Sequence, residues 1–155
     1  MQGRMKSHQL TERQIELLLI EEQVGRLATL NANGFPYITP VHFIYFNRKI
    51  YIHGLIKGQK IDNIKNDKKV SFEVDKMEKF LIAELPCDVN TEYLSVIIIG
   101  EAKMIGNEDE KIEALKKIVE KYTPSLAGKD FPEKVLKATG VIEVSVVECT
   151  GKFYK

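Results

Sequence analysis

The sequence predicts a mainly β fold with flanking helices, an antiparallel barrel, and three observations carry that prediction. Strand-like runs follow one another as hairpins, and Asn33-Gly34 between two apolar runs is a strong turn signal. Helical periodicity is confined to a few segments, too few to supply the crossovers of a doubly wound sheet. The chain then ends on a further alternating run, VIEVSVVEC, after two helices.

Taken in order, Thr11-x-x-Gln14 is a capping box that opens a first helix, with Ile15, Leu18 and Leu19 as its apolar stripe. Val24 to Leu30 follows as a strand, closed by Asn31-Ala32-Asn33-Gly34. Tyr37 to Phe46 is expected as one long strand interrupted by Pro40, which belongs on an edge or at a bulge because it cannot donate to a ladder. It turns at Asn47-Arg48 into Lys49 to His53. Gln59 to Asn66 is a short helix with Ile61 and Ile64 inward and Lys60, Asp62, Lys65 and Asp67 outward, handing over to the strand KKVSFEVD. Residues 76–91 lack clean periodicity and are expected as a loop with one further short strand.

Tyr93 to Met104 is apolar on both faces as far as Gly100, the pattern of a strand buried on both sides, within a barrel or at a subunit interface. Asn107-x-x-Glu110 caps a helix whose Ile112, Leu115, Ile118, Val119 and Tyr122 share a face, with acids leading and lysines following as the helix dipole favours. A shorter helix opens at Asp130-Phe131-Pro132, with Val135 and Leu136 inward. In the last strand Ile142, Val144 and Val146 alternate against Glu143, Ser145 and Val147.

At 155 residues one domain with a real core is expected, residues 10–155, preceded by an N-terminal tail, 1–9. Met5 is a candidate natural start, with residues 1–4 an addition or an alternative initiation. A net charge of +1 gives no polyanion signal, so no nucleic-acid partner is expected. Cys87 and Cys149 form neither a CxxC pair nor a disulfide framework, and no metal-ligand spacing, Ser-His-Asp arrangement or Walker loop is present. No apolar segment approaches a membrane span, so the expected setting is cytoplasmic.

The chemistry concentrates between Phe35 and Lys60. Lys57-Gly58-Gln59-Lys60 places two lysines around a glycine where a helix begins, and cations there oppose the helix dipole unless an anion such as phosphate joins them. His53, at a strand end, is by itself an ordinary exposed residue. Ser95, a hydroxyl in an apolar run, needs a hydrogen-bond partner.

These stretches resemble the FMN-binding split barrels related to pyridoxamine 5′-phosphate oxidase, and within them the 5-nitroimidazole resistance reductase branch. The resemblance rests on Gly25-Arg26-Leu27-Ala28-Thr29, Gly34-Phe35-Pro36-Tyr37 with Pro40-Val41, and Tyr51-Ile52-His53-Gly54 with Lys57-Gly58-Gln59-Lys60. Tyr93-Leu94-Ser95-Val96 with Gly100, and Thr150-Gly151-Lys152, complete it. It implies a six-stranded antiparallel split β-barrel that forms a homodimer, with FMN in clefts between subunits. Thr39, Pro40, Val41 and His42 would lie along the flavin ring. Ile52, His53, Lys57, Gly58, Gln59 and Lys60 would hold the ribityl phosphate, Lys60 foremost. Tyr93, Ser95 and Val96 would line the cleft, from the partner chain or the same one.

The resemblance also implies a flavin-dependent oxidoreductase, with NADH or NADPH as transient donor, a small acceptor such as a nitroaromatic, and His53 as the candidate catalytic residue. Relatives that oxidise pyridoxamine 5′-phosphate carry C-terminal arginines for the substrate phosphate, whereas this chain ends in Lys152-Phe153-Tyr154-Lys155. Gln59 also replaces a basic residue common before the lysine. The alternative is a non-catalytic flavin- or haem-binding module, a carrier, sensor or store.

Overall fold

The computed structural model describes residues 7–155. Residues 1–6, and with them the proposed start at Met5, lie outside the described residues. One antiparallel sheet of seven strands, in the order β2-β1-β5-β6-β7-β4-β3, forms the body. Its strands are β1 (Val24–Leu30), β2 (Pro36–His42), β3 (Ile44–Phe46), β4 (Lys49–Leu55), β5 (Lys69–Leu81), β6 (Asn90–Met104) and β7 (Thr139–Tyr154). The helices are α1 (Glu12–Glu21), α2 (Gln59–Asn66), α3 (Glu108–Tyr122) and α4 (Glu133–Ala138).

The expected strand from Tyr37 to Phe46 is broken in two at Phe43, which accounts for seven strands in place of six. Its first half pairs only with β1 and its second half only with β4, at the opposite end of the strand order. Two peptide steps of about 3.8 Å each therefore separate the two edges of the sheet. The sheet must curl into a barrel for this to happen, yet no ladder joins β2 to β4. The barrel is split along that seam.

Local chemistry explains the elements. Thr11 Oγ1 accepts from the Gln14 N–H at 3.3 Å while the Thr11 N–H donates to Gln14 Oε1 at 2.9 Å, a complete capping box on α1. Asn107 Oδ1 accepts from the Glu110 N–H at 3.0 Å on α3. Asn47 and Arg48, at φ 50° and 59°, make the tight β3–β4 turn in the left-handed region that two-residue hairpins of this twist require.

The barrel interior is filled by Leu19, Leu27, Phe43, Ile50, Ile52, Phe72, Val74, Val96, Ile98 and Val144, all fully buried, and Leu18 of α1 and Ile61 and Ile64 of α2 pack onto them. A second cluster, Ala114, Leu115, Ile118 and Leu136 against Ile44 and Val141, fixes α3 and α4 outside the β3-β4-β7 half.

Several expectations are corrected. Residues 76–91 are a long hairpin arm in which β5 runs on to Leu81, a 3-10 turn spans Pro86–Asp88, and β6 starts at Asn90. The period is unreadable there because the arm stands clear of the barrel and exposes Met77, Phe80 and Ile82. β4 continues two residues past His53, and β7 absorbs the tail to Tyr154. Within one chain the barrel buries β6 on one face, and Ile97 and Ile99 are about two-fifths exposed on the other, so of the two expected settings only burial inside the barrel is corrected. Val135 is exposed, Lys60 is half-buried, and Glu143 is buried between Lys49 (3.1 Å) and Lys103 (3.3 Å), which hold its carboxyl below the ordinary range against the cost of burial. Residues 8–10 run beside β7, with the Leu10 N–H on Gly151 O at 3.0 Å and the Phe153 N–H on His8 O at 3.0 Å.

Candidate functional site

The seam is where the backbone is left unpaired. The Asn31 N–H donates to Phe35 O at 3.0 Å, so this pair is of the hydrogen-bonded kind. Alternation then makes Leu30–Pro36, Ala28–Ile38, Arg26–Pro40 and Val24–His42 the non-hydrogen-bonded pairs. Both prolines fall in that set, as a strand edge requires. The amides of Ile38 and His42 thus point away from β1 toward the open side, whereas the Val41 N–H is spent on Gly25. Across the seam, β3 covers β4 only as far as Tyr51, leaving Ile52–Leu55 without a paired strand on that side among the described residues.

Basic side chains gather around this opening. His42 and His53 alternate with the buried Val41 and Ile52 and so project outward from the two sides of the seam. Lys60, in the first turn of α2, places its Nζ 3.9 Å from where a Gly54 Cβ would stand, so it reaches over β4. Burial holds the Lys60 ammonium below its ordinary pKa. The His53 imidazolium is also disfavoured, first by loss of water and then by the charges of His42 and Lys60. No carboxylate acts on either group among the described residues.

α2 is fixed to the end of β1 by amides. Asn63, buried at 1% exposure, donates through Nδ2 to Thr29 Oγ1 and to Asn31 Oδ1, both at 2.9 Å. Gln59 Nε2 donates to Asn63 Oδ1 at 2.9 Å and to Asn31 Oδ1 at 3.2 Å. Gly58, at φ 130°, precedes the helix in a conformation that side chains rarely adopt, and its carbonyl accepts from Ile61 and Asp62. We expect Asn63→Leu to cost about 1–3 kcal/mol, since Thr29 and Gln59 lose buried partners. Urea denaturation checks this, and an unchanged midpoint would sink the account of the network.

The predicted residues separate into three groups. Pro40, His42, His53, Lys57, Gly58 and Lys60 stand at or beside the seam, and Gln59 serves it through the amide network. Val41, Ile52 and Val96 are core side chains, so only their backbone is available to a ligand. Thr39 is on the barrel side of β2 with its Oγ1 buried and unpartnered. Tyr93 and Ser95 lie on the outer face of β6, three strands from β2, and the Ser95 Oγ is likewise buried without a partner among the described residues. Sequence reasoning missed Asn63 and placed Tyr122 only as a core residue. Asn63 was detectable, since it sits between the two inward isoleucines of α2.

A cavity of ≈ 300 Å³ is lined by Glu12, Glu16, Tyr45, Arg48, Val146 and Cys149, and neither seam histidine lines it.

A family model described as pyridoxamine 5′-phosphate oxidase matches residues 11–153. Among solved structures, a candidate 5-nitroimidazole antibiotic resistance protein from Bacteroides thetaiotaomicron is similar at 23% identity and TM-score 0.81, over 94% of this chain and 86% of that one. A flavocytochrome from Azotobacter vinelandii aligns at 22% identity and TM-score 0.83, over 94% and 68%. A FAD and haem binding protein from Mycobacterium smegmatis aligns at 17% identity and TM-score 0.87, over 96% and 74%. No curated protein matches the chain significantly. With the family model spanning α1 to the end of β7 and the split sheet shared with these structures, the chain belongs to the pyridoxamine 5′-phosphate oxidase family.

Proposed function

We propose that the seam binds FMN through its phosphate and ring, and that the protein is a flavin-dependent oxidoreductase passing electrons from NADH or NADPH to a small acceptor such as a nitroaromatic. The observation that carries this is the cluster of His42, His53 and Lys60 at an unpaired strand edge with no carboxylate acting on His53 or Lys60. A phosphate dianion matches that charge. The outward amides of β2 and the orphaned Thr39 hydroxyl suit a heteroaromatic edge rich in acceptors. When bound, the flavin supplies the redox chemistry. The chain's own share is to hold the phosphate at Lys60 and the α2 N-terminus, to present donors from β2, and to place His53 beside the acceptor.

In the same reading a second copy covers the exposed outer face that carries Ile38, Ile97 and Ile99, and brings Tyr93 and Ser95 toward the seam. The setting we propose is the cytoplasm. Cys87 and Cys149 are free, and no helix of the described residues is long and apolar enough to cross a membrane.

The test is the absorption spectrum of the purified protein, with mass spectrometry of whatever denaturation releases. Stoichiometric FMN, reducible by a nicotinamide cofactor, is the expected result. A colourless protein that takes up no added FMN overturns the reading. FAD and haem are named for one solved relative, so a Soret band, or a flavin that nicotinamide cofactors do not reduce, would favour the binding-module reading.

His53 makes a separate prediction. Its pKa lies below 6.5 in the folded chain, so between that value and 6.5 the unfolded chain holds a proton that the folded chain lacks. The contribution is fully present above pH 6.5 and is lost as pH falls through the folded pKa. His53→Gln should flatten that part of the stability profile. Bound phosphate reverses the repulsion and raises the His53 pKa, so FMN binding near pH 6.5 should take up more protons in the wild type than in His53→Gln. Calorimetry in buffers of different ionisation enthalpy measures the difference, and equal uptake would remove His53 from the site.

A further inference from the structure

The geometry points to Tyr122 as the residue that positions His42 and fixes the seam, an inference that rests on the ligand reading of that same site. Tyr122 closes α3, far in sequence from either edge of the split. Its hydroxyl oxygen accepts from the Phe43 N–H at 2.9 Å and lies within donating distance of Phe43 O (2.8 Å) and Gln23 O (2.7 Å). Phe43 is the single residue joining β2 to β3, so this hydroxyl holds the N–H of the link between the sheet's edges, and its one proton is offered either to Phe43 O or to Gln23 O in the segment between α1 and β1.

The Tyr122 ring adds a second contact. It stacks on the His42 imidazole with centroids 4.7 Å apart and planes 29° from parallel. His42 is otherwise an exposed side chain, flanked by Val24 of β1 on one side and by no paired strand on the seam side among the described residues. The preceding residue secures the mount. Lys121 Nζ donates to Glu22 O at 2.6 Å and sits 4.1 Å over the Phe43 ring. Burial lowers its pKa to about 8. The last turn of α3 therefore clamps the kink with one residue and the imidazole with the next. Tyr122 is a positioning residue, acting on the ligand through His42.

Two variants separate its roles. Tyr122→Phe keeps the ring and removes the hydroxyl, leaving the Phe43 N–H unpaired, while Tyr122→Leu removes both. The His42 ring resonances of the ligand-free protein, shifted by the stacked ring, should stay in place in Tyr122→Phe and move in Tyr122→Leu. Both variants should melt earlier than the wild type. FMN affinity should hold within about twofold in Tyr122→Phe and fall about tenfold in Tyr122→Leu, a difference that vanishes in a His42→Ala background because the two residues act as one unit. A merely structural tyrosine would lose affinity in step with melting temperature in both variants, and that result overturns the inference. So does a His42 resonance that ignores Tyr122→Leu. A wild type that takes up no FMN defeats the flavin reading instead, and the His42 resonances then decide the positioning role alone.

Discussion

Lys60→Gln should weaken FMN binding by about 10- to 100-fold, the equivalent of a charge-assisted hydrogen bond of roughly 1.5–3 kcal/mol. The same substitution should leave the ligand-free protein as stable as before, or more so. Lys60 is half-buried, its charge is disfavoured by desolvation, and no carboxylate among the described residues compensates it, so a neutral amide relieves the free protein while depriving the ligand. Opposite signs for stability and affinity are the signature of a residue kept for binding. Lys57 is the comparator, since it is exposed two residues ahead of α2 and should lose no more than about fivefold, the range of a screened surface charge. Fluorescence titration at fixed low ionic strength, paired with thermal melts, reads both quantities. Equal losses at Lys57 and Lys60 would mean diffuse attraction rather than a phosphate seat. A Lys60→Gln protein that unfolds early would mean a structural lysine.

Gly25→Ala should be among the most damaging single methyl groups that could be added to this fold. A Cβ at Gly25 would stand 2.1 Å from the Phe72 Cζ and 2.5 Å from its Cε2. Phe72 cannot swing aside, because it is fully buried and meets the Phe43 ring edge-on at 4.9 Å. Overpacking of this kind costs about 1–3 kcal/mol, occasionally more, which for a chain of this size lowers the melting temperature by roughly 3–10 °C. Trimming the obstacle should restore part of the loss. Phe72→Leu alone is destabilising, but Gly25→Ala added to it should cost less than in the wild type, a coupling of about 0.5–3 kcal/mol in a double-mutant cycle. Additive losses would show that the glycine is required for another reason. Because Phe43 links the sheet's edges, a displaced Phe72 ring should also disturb the seam, and FMN affinity should fall in Gly25→Ala.

What the sequence disclosed was mostly local. The Thr11 box, the Asn107 cap, the Asn47-Arg48 turn and the bounds of α2 depend on side chains within four residues of one another, and all stand as expected. Pro40 was legible as an edge residue because a missing N–H has few tolerable places. The break at Phe43 was not legible, since nothing in an alternating run tells where a strand changes partners. Glu143 shows the same limit. Alternation assigned it to solvent, but α3 and α4 cover that face of β7, and Lys49 and Lys103 from neighbouring strands neutralise it. The site divides likewise. Lys60 was legible as a cation at a helix start, whereas His53 read alone as an ordinary exposed residue and stood out only through the family resemblance. The role of Tyr122 depends on a contact across 79 positions that helical periodicity reports only as inward-facing.

A bare strand edge is also an invitation to aggregate, because unpaired amides and carbonyls can template a foreign strand. In β2 the outward-facing positions are 36, 38, 40 and 42, and two of the four are prolines. An invading strand would therefore find donors only at Ile38 and His42, separated by a gap, and could not zip continuously. A flat aromatic ligand needs no continuous ladder. The prolines thus deny another strand a continuous ladder along this edge, while the flavin proposed for the seam would need none.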